Sequence, residues 1–207
     1  MRKHGWFITF EGIDGSGKTT QLKMTEQLLR KSHFHILVVR EPGSTPVAEK
    51  ARKILLSKKN QITAESELFL YLAARADLVR KIIAPALNRG VIVLCDRFYD
   101  STVAYQGYGR GLDIDLIGEL NHLAVGQYEP DITFLIDVDY KTSLKRRKKQ
   151  RDRLESESMA FFNRVRKGFL KIAQRERKRV IILDGRKRAE VVFTEVDSCL
   201  KMRLHIK

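Results

Sequence analysis

The stretch that decides the fold reads Gly12-Ile13-Asp14-Gly15-Ser16-Gly17-Lys18-Thr19. It matches the full pattern of a phosphate-binding loop, or P-loop, and it stands between an apolar run at 6–10 and a segment with helical spacing at 19–31. In such a loop the glycines let backbone N–H groups turn toward a phosphate, the lysine reaches the β and γ phosphates, and the threonine hydroxyl holds Mg²⁺. We therefore predict that residues 12–19 bind the phosphates of a nucleoside triphosphate, with ATP as the expected ligand.

Outward from this loop, short apolar runs alternate with longer segments of helical spacing. The predicted strands are 6–10, 36–39, 91–95, 132–137 and 180–183, and the predicted helices are 19–31, 48–56, 65–88, 115–126, 156–174 and 188–204. Pro85 is expected to kink or divide the helix at 65–88. The alternation predicts an α/β fold: a three-layer sandwich with a five-stranded parallel sheet, helices on both faces, and ligands at the carboxyl ends of the strands.

Length and composition bound the class of protein. A chain of 207 residues favours a single domain, and no apolar stretch approaches the roughly 20 residues of a membrane helix. The apolar run at 6–10 is too short for a signal sequence, so we expect a cytoplasmic protein. Cys95, Cys199 and the five histidines show no metal-ligand spacing, which predicts free thiols and no metal site built from protein ligands alone.

The net charge of +15 indicates an anionic partner, which leaves nucleotide, nucleic acid and membrane surface open. Residues 141–190 hold 19 Lys or Arg against 6 Asp or Glu, so one region carries nearly the whole surplus. No nucleic-acid motif with interleaved aromatic residues accompanies it, and we expect no specific nucleic-acid partner and no membrane.

Two aspartates compete for a role beside the P-loop. Asp96 ends the apolar run at 91–95 and Asp137 ends the run at 132–137, so either places a carboxylate at the carboxyl edge of the sheet. Such a carboxylate suits Mg²⁺ binding through water. We prefer Asp96 because Arg97 follows it and pairs a metal-side carboxylate with a phosphate-side guanidinium; the alternative for both is an ordinary turn residue at a strand end.

Five segments in order resemble the bacterial thymidylate kinase family: FEGIDGSGKTTQ (10–21), REPGSTPVAEKAR (40–52), YLAAR (71–75), DRFYDSTVAYQGYGRG (96–111) and DRLESESMAFFNRVRKGF (152–169). The resemblance covers most of the chain. It implies a single kinase domain over 1–207 that uses ATP and Mg²⁺ to convert dTMP to dTDP in dTTP synthesis, and that forms a homodimer. Rival predictions are a kinase for another nucleotide or a deoxynucleoside, and a nucleic-acid-binding P-loop ATPase.

The resemblance also implies how the base is held. Tyr71 and Arg75 are four residues apart, on one face of a helix, where Tyr71 would stack on thymine and Arg75 would donate to its C4 carbonyl. Spacing alone is equally compatible with a core tyrosine beside a surface arginine. Further residues of the acceptor site carried over from the family are Ser101, Thr102, Tyr105 and Gln106, with Tyr105 crowding the sugar 2′ position.

On the phosphate side, the resemblance places Arg97 and Arg52 on the dTMP phosphate, which suits the bidentate geometry of a guanidinium. Asp14 and Glu41 stand where family carboxylates organise Mg²⁺ and the phosphates. The residues we expect to act in catalysis are Lys18, Asp14 and Arg97, together with one arginine of the lid. The alternative for Arg52 is a solvated helix face.

The family's lid corresponds to about 141–155 and contains the basic run at 145–153. Gly15 follows Asp14, so the P-loop itself lacks an arginine and the lid is expected to supply it. Arg153 is the first choice, with Arg147 or Arg151 second, against the alternative of a solvated basic helix. The chain departs from the family at Ser44, where a second glycine is common, and at Phe98, where tyrosine or histidine is common.

Overall fold

A parallel five-stranded sheet forms the centre of the structure, a computed structural model that describes residues 5–147 and 152–206. The strands are β1 (Phe7–Glu11), β2 (Ile36–Arg40), β3 (Ile92–Asp96), β4 (Ile132–Asp137) and β5 (Val180–Asp184). Their order across the sheet is β2-β3-β1-β4-β5, and each neighbouring pair is parallel. All five predicted strands are confirmed, with some ends shifted by one residue.

Helices connect the strands and cover both faces, which confirms the predicted fold class. They are α1 (Lys18–Lys31), α2 (Pro46–Leu56), α3 (Ala64–Leu78), α4 (Ala84–Asn88), α5 (Tyr99–Thr102), α6 (Ile114–Val125), α7 (Tyr140–Arg146), α8 (Met159–Arg175) and α9 (Ala189–Leu204). Within 5–147 and 152–206, no helix has both the length and the apolar character needed to cross a membrane.

The two faces of the sheet are built by alternate residues of each strand, because successive side chains of a strand point to opposite sides. Ile8 and Phe10 of β1 belong to a core beneath α1 and α9. Phe7, whose side chain points to the other side of the sheet, joins the opposite core with Leu78 and Phe98. Burial on both faces accounts for the nearly continuous apolar runs from which the strands were predicted.

The helix predicted at 65–88 is helical throughout but contains a π-helical turn, Val79–Ile83, between α3 and α4. Pro85 lies in the first turn of α4. A proline lacks the N–H and its ring clashes with the carbonyl four residues earlier, here that of Lys81. The π turn contains Lys81, so the helix accommodates the proline by widening one turn.

Residues 99–109, for which no helix was predicted, are helical: α5 is followed by the π-helical stretch Val103–Gly109. Thr102, Val103 and two glycines give this stretch low helix propensity, and tertiary packing overrides it. A Cβ on Gly109 would lie 2.8 Å from the Phe161 ring, and one on Gly168 would lie 2.6 Å from Tyr108. Gly109 and Gly168 therefore allow this stretch to lie close against α8. The helix α7 was also not predicted.

Candidate active site

The P-loop joins β1 to α1 at the carboxyl edge of the sheet, as predicted. Gly17 caps α1 in the left-handed region, with φ of 106°, where other residues are strained. Gly15 has φ of 75°, and a Cβ there would lie 2.6 Å from the backbone oxygen of Ser143. Glycine at 15 thus lets the end of α7 approach the loop. Beyond it, the buried Ser16 hydroxyl has no partner among the described residues.

Lys18 is buried in the loop, and its Nζ donates to the backbone oxygen of Ile13 at 3.0 Å. Burial and the nearby charge of Arg97 lower the pKa of Lys18 to about 8. An anion in the loop would offset both effects, since it would add negative charge beside the ammonium group. The site is therefore poised for a highly charged phosphate ligand.

The geometry separates the two candidate metal-side aspartates. Thr19 Oγ1 donates to Asp96 Oδ2 at 2.8 Å, which sets a hydroxyl and a carboxylate side by side at the start of α1. Asp137 instead accepts two bonds from Arg166, at 2.6 and 2.7 Å, and lines neither cavity described below. Oxygen donors at Thr19 and Asp96 fit Mg²⁺ completed by phosphate and water. Within the described residues, no group of three or more His, Cys, Asp or Glu forms a metal cage.

Arg97 is the centre of the polar contacts behind the P-loop. It adopts a left-handed backbone conformation, with φ of 70°. Its Nη1 donates to the backbone oxygen of Gly12 at 2.9 Å and to Ser101 Oγ at 3.1 Å, and its Nη2 donates to Asp14 Oδ1 at 2.7 Å. Burial by itself would raise the pKa of Asp14, but Arg97 and Lys18 hold that pKa well below its usual range. Asp14 is therefore an anion that orients Arg97.

Two cavities open at this edge of the sheet. The P-loop cavity is bounded by the P-loop, Asp96 and two basic residues of the lid, Arg146 and Arg147. The inner cavity is lined, on the side away from the P-loop, by Tyr71, Arg75, Phe98, Thr102, Tyr105 and Gln106. Four residues line both cavities: Asp14, Glu41, Arg52 and Arg97. The guanidinium groups of Arg52 and Arg97 thus lie where ligands in the two cavities would meet.

The inner cavity is built to hold a polar ligand. Arg75 is 1% exposed, and its Nε and Nη2 donate to Glu41 Oε2 at 2.9 and 2.6 Å while Nη1 donates to Asn121 Oδ1 at 2.7 Å. This excludes the alternative of a surface arginine. Among the described residues, Glu41 Oε1 and Thr102 Oγ1 are buried without a hydrogen-bond partner, which is costly unless a ligand or water satisfies them.

The match to known proteins covers most of the chain. The family model described as "Thymidylate kinase" matches residues 10–196. The chain belongs to the thymidylate kinase family. Curated relatives include thymidylate kinases of Geobacter sulfurreducens, 47% identical with 97% of this chain and 98% of that protein covered, and of Geotalea daltonii, 50% identical with 87% and 89% covered. A crystal structure of thymidylate kinase from Ehrlichia chaffeensis aligns with TM-score 0.81 and 40% identity over 95% of this chain and 98% of that one.

As a member of this family the chain is an enzyme, a kinase with an ATP-binding P-loop, which confirms the family, fold and enzyme class inferred from the sequence segments. The assignment of individual residues rests on the geometry of the kinase itself. Arg52 Nη1 donates to the backbone oxygen of Pro42 at 3.0 Å and so lies at the wall shared by both cavities. Tyr105 donates from its hydroxyl to Asp14 Oδ2 at 3.2 Å at the same wall.

The structure does not bring Arg153 to the P-loop of the kinase, where we expected it. Its Nη2 forms an ion pair with Glu67, its Nε donates to the backbone oxygen of Leu55 at 2.8 Å, and it does not line the P-loop cavity. The buried carboxylate of Glu67 attracts this guanidinium to the far side of the inner cavity, where Asp152 and Leu154 form part of the lining.

Of the described lid arginines, Arg147 is the one that bonds to the P-loop backbone. Its Nη2 donates to Ser143 Oγ at 2.6 Å, its Nε lies 3.3 Å from the backbone oxygen of Asp14, and its guanidinium stacks 4.0 Å from the centre of the Phe162 ring. It lines the P-loop cavity beside Arg146. The other candidate, Arg151, lies outside the described residues, as do the rest of residues 148–151 of the predicted lid.

The buried carboxylates of Glu11 and Glu67, which hold residues of the site, were not predicted. Glu11 ends β1 and accepts from the backbone N–H of Phe98 at 2.7 Å and from Ser101 Oγ at 2.6 Å, so it holds the strained turn that carries Arg97. Burial and Asp100 raise the pKa of Glu11 to about 7. Glu67 lies on α3, four residues before Tyr71 and eight before Arg75. That spacing, one face of a helix, was the available signal for Glu67; a lone charge ending an apolar run was the signal for Glu11.

The two departures from the family pattern have structural consequences. Ser44 has φ of 70°, the left-handed region that favours glycine, and its Oγ accepts from the Arg40 N–H at 3.0 Å. Phe98 is fully buried, packs edge-on against Phe7 at 4.8 Å between ring centres, and lies 5.4 Å from the Arg75 guanidinium. Phe98 therefore supports Arg75 through its aromatic face.

Proposed function

We propose that the enzyme transfers the γ-phosphoryl group of ATP to the 5′-phosphate of dTMP, producing dTDP for dTTP synthesis. The observation that carries this proposal is the wall shared by the two cavities. One cavity contains the P-loop, the other contains the base-binding set of the family, and Arg52 and Arg97 stand between them. Membership of the thymidylate kinase family supports dTMP as the acceptor.

On the donor side, the N–H groups of the P-loop and Lys18 bind the β and γ phosphates of ATP. Thr19 holds Mg²⁺ directly and Asp96 holds it through water, with Asp14 and Glu41 at the edge of the same anionic region. When bound, Mg²⁺ neutralises charge on the phosphate oxygens. The hydroxyl and carboxylate already in contact at Thr19 and Asp96 are the oxygen donors that such an ion prefers.

On the acceptor side, Arg97 and Arg52 hold the dTMP phosphate in line with the γ-phosphoryl group. Tyr71 stacks on the base and Arg75, fixed by Glu41 and Asn121, donates to the C4 carbonyl. The remaining contacts come from Ser101, Thr102, Tyr105 and Gln106, with Tyr105 excluding a 2′-hydroxyl. The acceptor oxygen is already ionised, so alignment and charge neutralisation supply the catalysis without a strong general base.

We assign the lid arginine of the transition state to Arg147, in place of Arg153. Arg147 already lies at the P-loop cavity and contacts the backbone of Asp14, whereas Arg153 is paired with Glu67 beside the inner cavity. We take residues 1–207 as one kinase domain with its lid at about 141–155. A cytoplasmic setting suits both this step of nucleotide synthesis and the free thiols of Cys95 and Cys199.

The acceptor assay tests this function most directly. Purified enzyme with ATP and Mg²⁺ is expected to form ADP rapidly when dTMP is added, more slowly with dUMP, and poorly with dCMP, dGMP or thymidine. The measurement is the initial rate of ADP formation for each acceptor at equal concentration. A preference for dCMP, dGMP or thymidine over dTMP would reject the proposal.

Nucleotide binding is expected to take up a proton at alkaline pH. Lys18 in the free enzyme has a pKa lowered to about 8, and phosphates beside it raise that pKa again. Below pH 8 the ammonium group is already charged; above pH 8 ATP binds with proton uptake, so its affinity falls as the pH rises. Calorimetric titrations at pH 7 and pH 9, in buffers of different ionisation enthalpy, measure this uptake. Equal uptake by the Lys18→Met variant would assign the proton to another group.

A homodimer is the expected assembly, and the structure offers an apolar face for it. α3 and α6 pack together, and their outer surfaces expose Phe69, Leu116 and Leu123, the last being 73% exposed. Exposed apolar side chains grouped on neighbouring helices are typical of an interaction surface. We propose that this face joins two copies of the chain.

If this face joins two copies of the chain, a single charge placed on it should separate them. Leu123→Asp is expected to convert a dimer into a monomer, because a carboxylate would lose its water at the interface, and sedimentation velocity measures the change. Met202→Asp is the matched control, since Met202 on α9 is also 73% exposed but lies on another surface. A wild-type monomer, or a Leu123→Asp dimer as stable as the wild-type one, would contradict the assignment.

A further inference from the structure

Glu67 is a fully buried carboxylate to which none of the functions above assigns a role. Its Oε1 accepts from Gln106 Nε2 at 2.7 Å and from Arg110 Nε at 3.2 Å. Its Oε2 accepts from Arg110 Nη2 at 3.1 Å and from Arg153 Nη2. One carboxylate on α3 therefore joins the π-helical stretch of the inner cavity, the residue that follows that stretch, and the lid.

The protonation state of Glu67 determines whether its oxygens can donate hydrogen bonds or only accept them. Burial by itself would raise the pKa of Glu67, but hydrogen bonds from Arg110 and Gln106 hold it below its usual range. The side chain is therefore ionised. An ionised carboxylate can only accept hydrogen bonds.

It follows that Glu67 fixes the amide of Gln106 in one orientation. Only the NH₂ end of that amide can donate to a carboxylate, so the carbonyl end, Oε1, points away from Glu67. Gln106 is 1% exposed and lines the inner cavity. Among the described residues, no side chain or backbone group donates to its Oε1, which leaves a fixed acceptor at the cavity wall.

We propose that Glu67 is a positioning residue for base selectivity: it holds the Gln106 carbonyl oxygen as an acceptor for a base N–H and excludes bases that present a lone pair there. This inference rests on the proposed dTMP kinase function. Thymine and uracil carry a hydrogen on N3, whereas N3 of cytosine is an acceptor. A freely rotating amide could accept a hydrogen bond from N3 of thymine or uracil, and through its NH₂ end it could donate to N3 of cytosine. An amide held by Glu67 can only accept, so it fits thymine and uracil but not cytosine.

Glu67 also fixes the lid segment that closes this cavity. The backbone N–H and the Nε of Arg153 donate to the backbone oxygens of Leu56 and Leu55, at 3.2 and 2.8 Å, and its Nη2 pairs with Glu67. Asp152 and Leu154, on either side of Arg153, line the inner cavity. Glu67, which orients the Gln106 amide, therefore also holds the lid residues that line the same cavity.

The test compares Glu67→Gln with Glu65→Gln, an exposed acid on the same helix. Initial rates give kcat/KM for dTMP, dUMP and dCMP. Glu67→Gln is expected to lower the dTMP-to-dCMP ratio about tenfold, the order of one hydrogen bond, and to leave the dTMP-to-dUMP ratio unchanged because both bases carry the N3 hydrogen. Glu65→Gln should change neither ratio. Glu67→Asp, which keeps the charge for both arginines but withdraws the carboxylate from Gln106, should lower the dTMP-to-dCMP ratio in the same direction.

A double-mutant cycle with Gln106→Leu shows whether Glu67 acts through Gln106. In that background, Glu67→Gln should produce no further loss of the dTMP-to-dCMP ratio. Additive losses, or a dTMP-to-dCMP ratio that stays at the wild-type value in a folded Glu67→Gln enzyme, would overturn the positioning role. A wild-type enzyme that fails to phosphorylate dTMP would instead reject the proposed function, so the two failures are distinguishable.

Discussion

The Lys18→Met enzyme is expected to lose about a hundredfold to a thousandfold in kcat with ATP and dTMP, the order reached when one preorganised donor to developing charge is removed. Lys18 is the buried cation within the P-loop, and its Nζ donates to the backbone oxygen of Ile13. Among residues 5–147 and 152–206, no other lysine lines the P-loop cavity, so Lys18 is the ammonium group available to the transferred phosphoryl group.

The loss should concern turnover and not folding. Burial lowers the pKa of Lys18, which means that the protein environment disfavours its charge, and a methionine of similar length removes that charge. Thermal melting should therefore match the wild type, and steady-state rates report kcat. Lys23→Met, at an exposed position on α1, is the matched control and should retain wild-type turnover. A Lys18→Met enzyme with near-normal kcat would remove Lys18 from the catalytic set.

The second large effect is expected at Arg147. An arginine that acts on the transferred group is worth about 10³ to 10⁵ in rate. Among the described lid residues, Arg147 is the arginine that bonds to the P-loop backbone. Arg147→Met keeps an apolar stem over the Phe162 ring while removing the guanidinium. We therefore expect kcat to fall by about a thousandfold or more, measured at saturating ATP and dTMP.

Arg153→Met is the informative comparison. Because Arg153 pairs with Glu67 and anchors the cover of the inner cavity, its loss should raise the KM for dTMP with kcat changed by less than about tenfold. A large fall in kcat for Arg153→Met with normal turnover for Arg147→Met would return the transition-state role to Arg153. Normal turnover in both variants would transfer it to Arg146, which also lines the P-loop cavity, or to Arg151, which lies outside the described residues.

Much of the site could be predicted from local patterns because each part was encoded within a few consecutive residues. The P-loop, the aspartate that ends β3 and the pair Tyr71 and Arg75 are all local signals, and the structure places them at one edge of the sheet. Parallel strands meet that edge with their carboxyl ends, so strand-end residues distant in sequence converge there.

Other parts of the site depend on partners far away in the chain. Arg153 was assigned by its position in a basic run, but Glu67, 86 residues earlier, determines where its guanidinium lies. The helical stretch that contains Tyr105 and Gln106 forms because Gly109 and Gly168 let it pack against α8, which local propensity does not reveal. The sequence favoured Asp96 over Asp137 because Arg97 follows Asp96, and the structure adds a second reason, since Arg166 on α8 pairs with Asp137.

The sequence by itself determined the P-loop, the alternation of strands and helices, and the family, because these are patterns of residue type at short spacing. The tertiary structure decided which arginine faces the P-loop, which aspartate accompanies Thr19, and how the Gln106 amide is turned. Those outcomes depend on buried charges finding partners across the fold: an ionised carboxylate in the interior needs donors. The P-loop is thus specified by eight consecutive residues, whereas the arginine that completes it depends on contacts between α3, α7 and the lid.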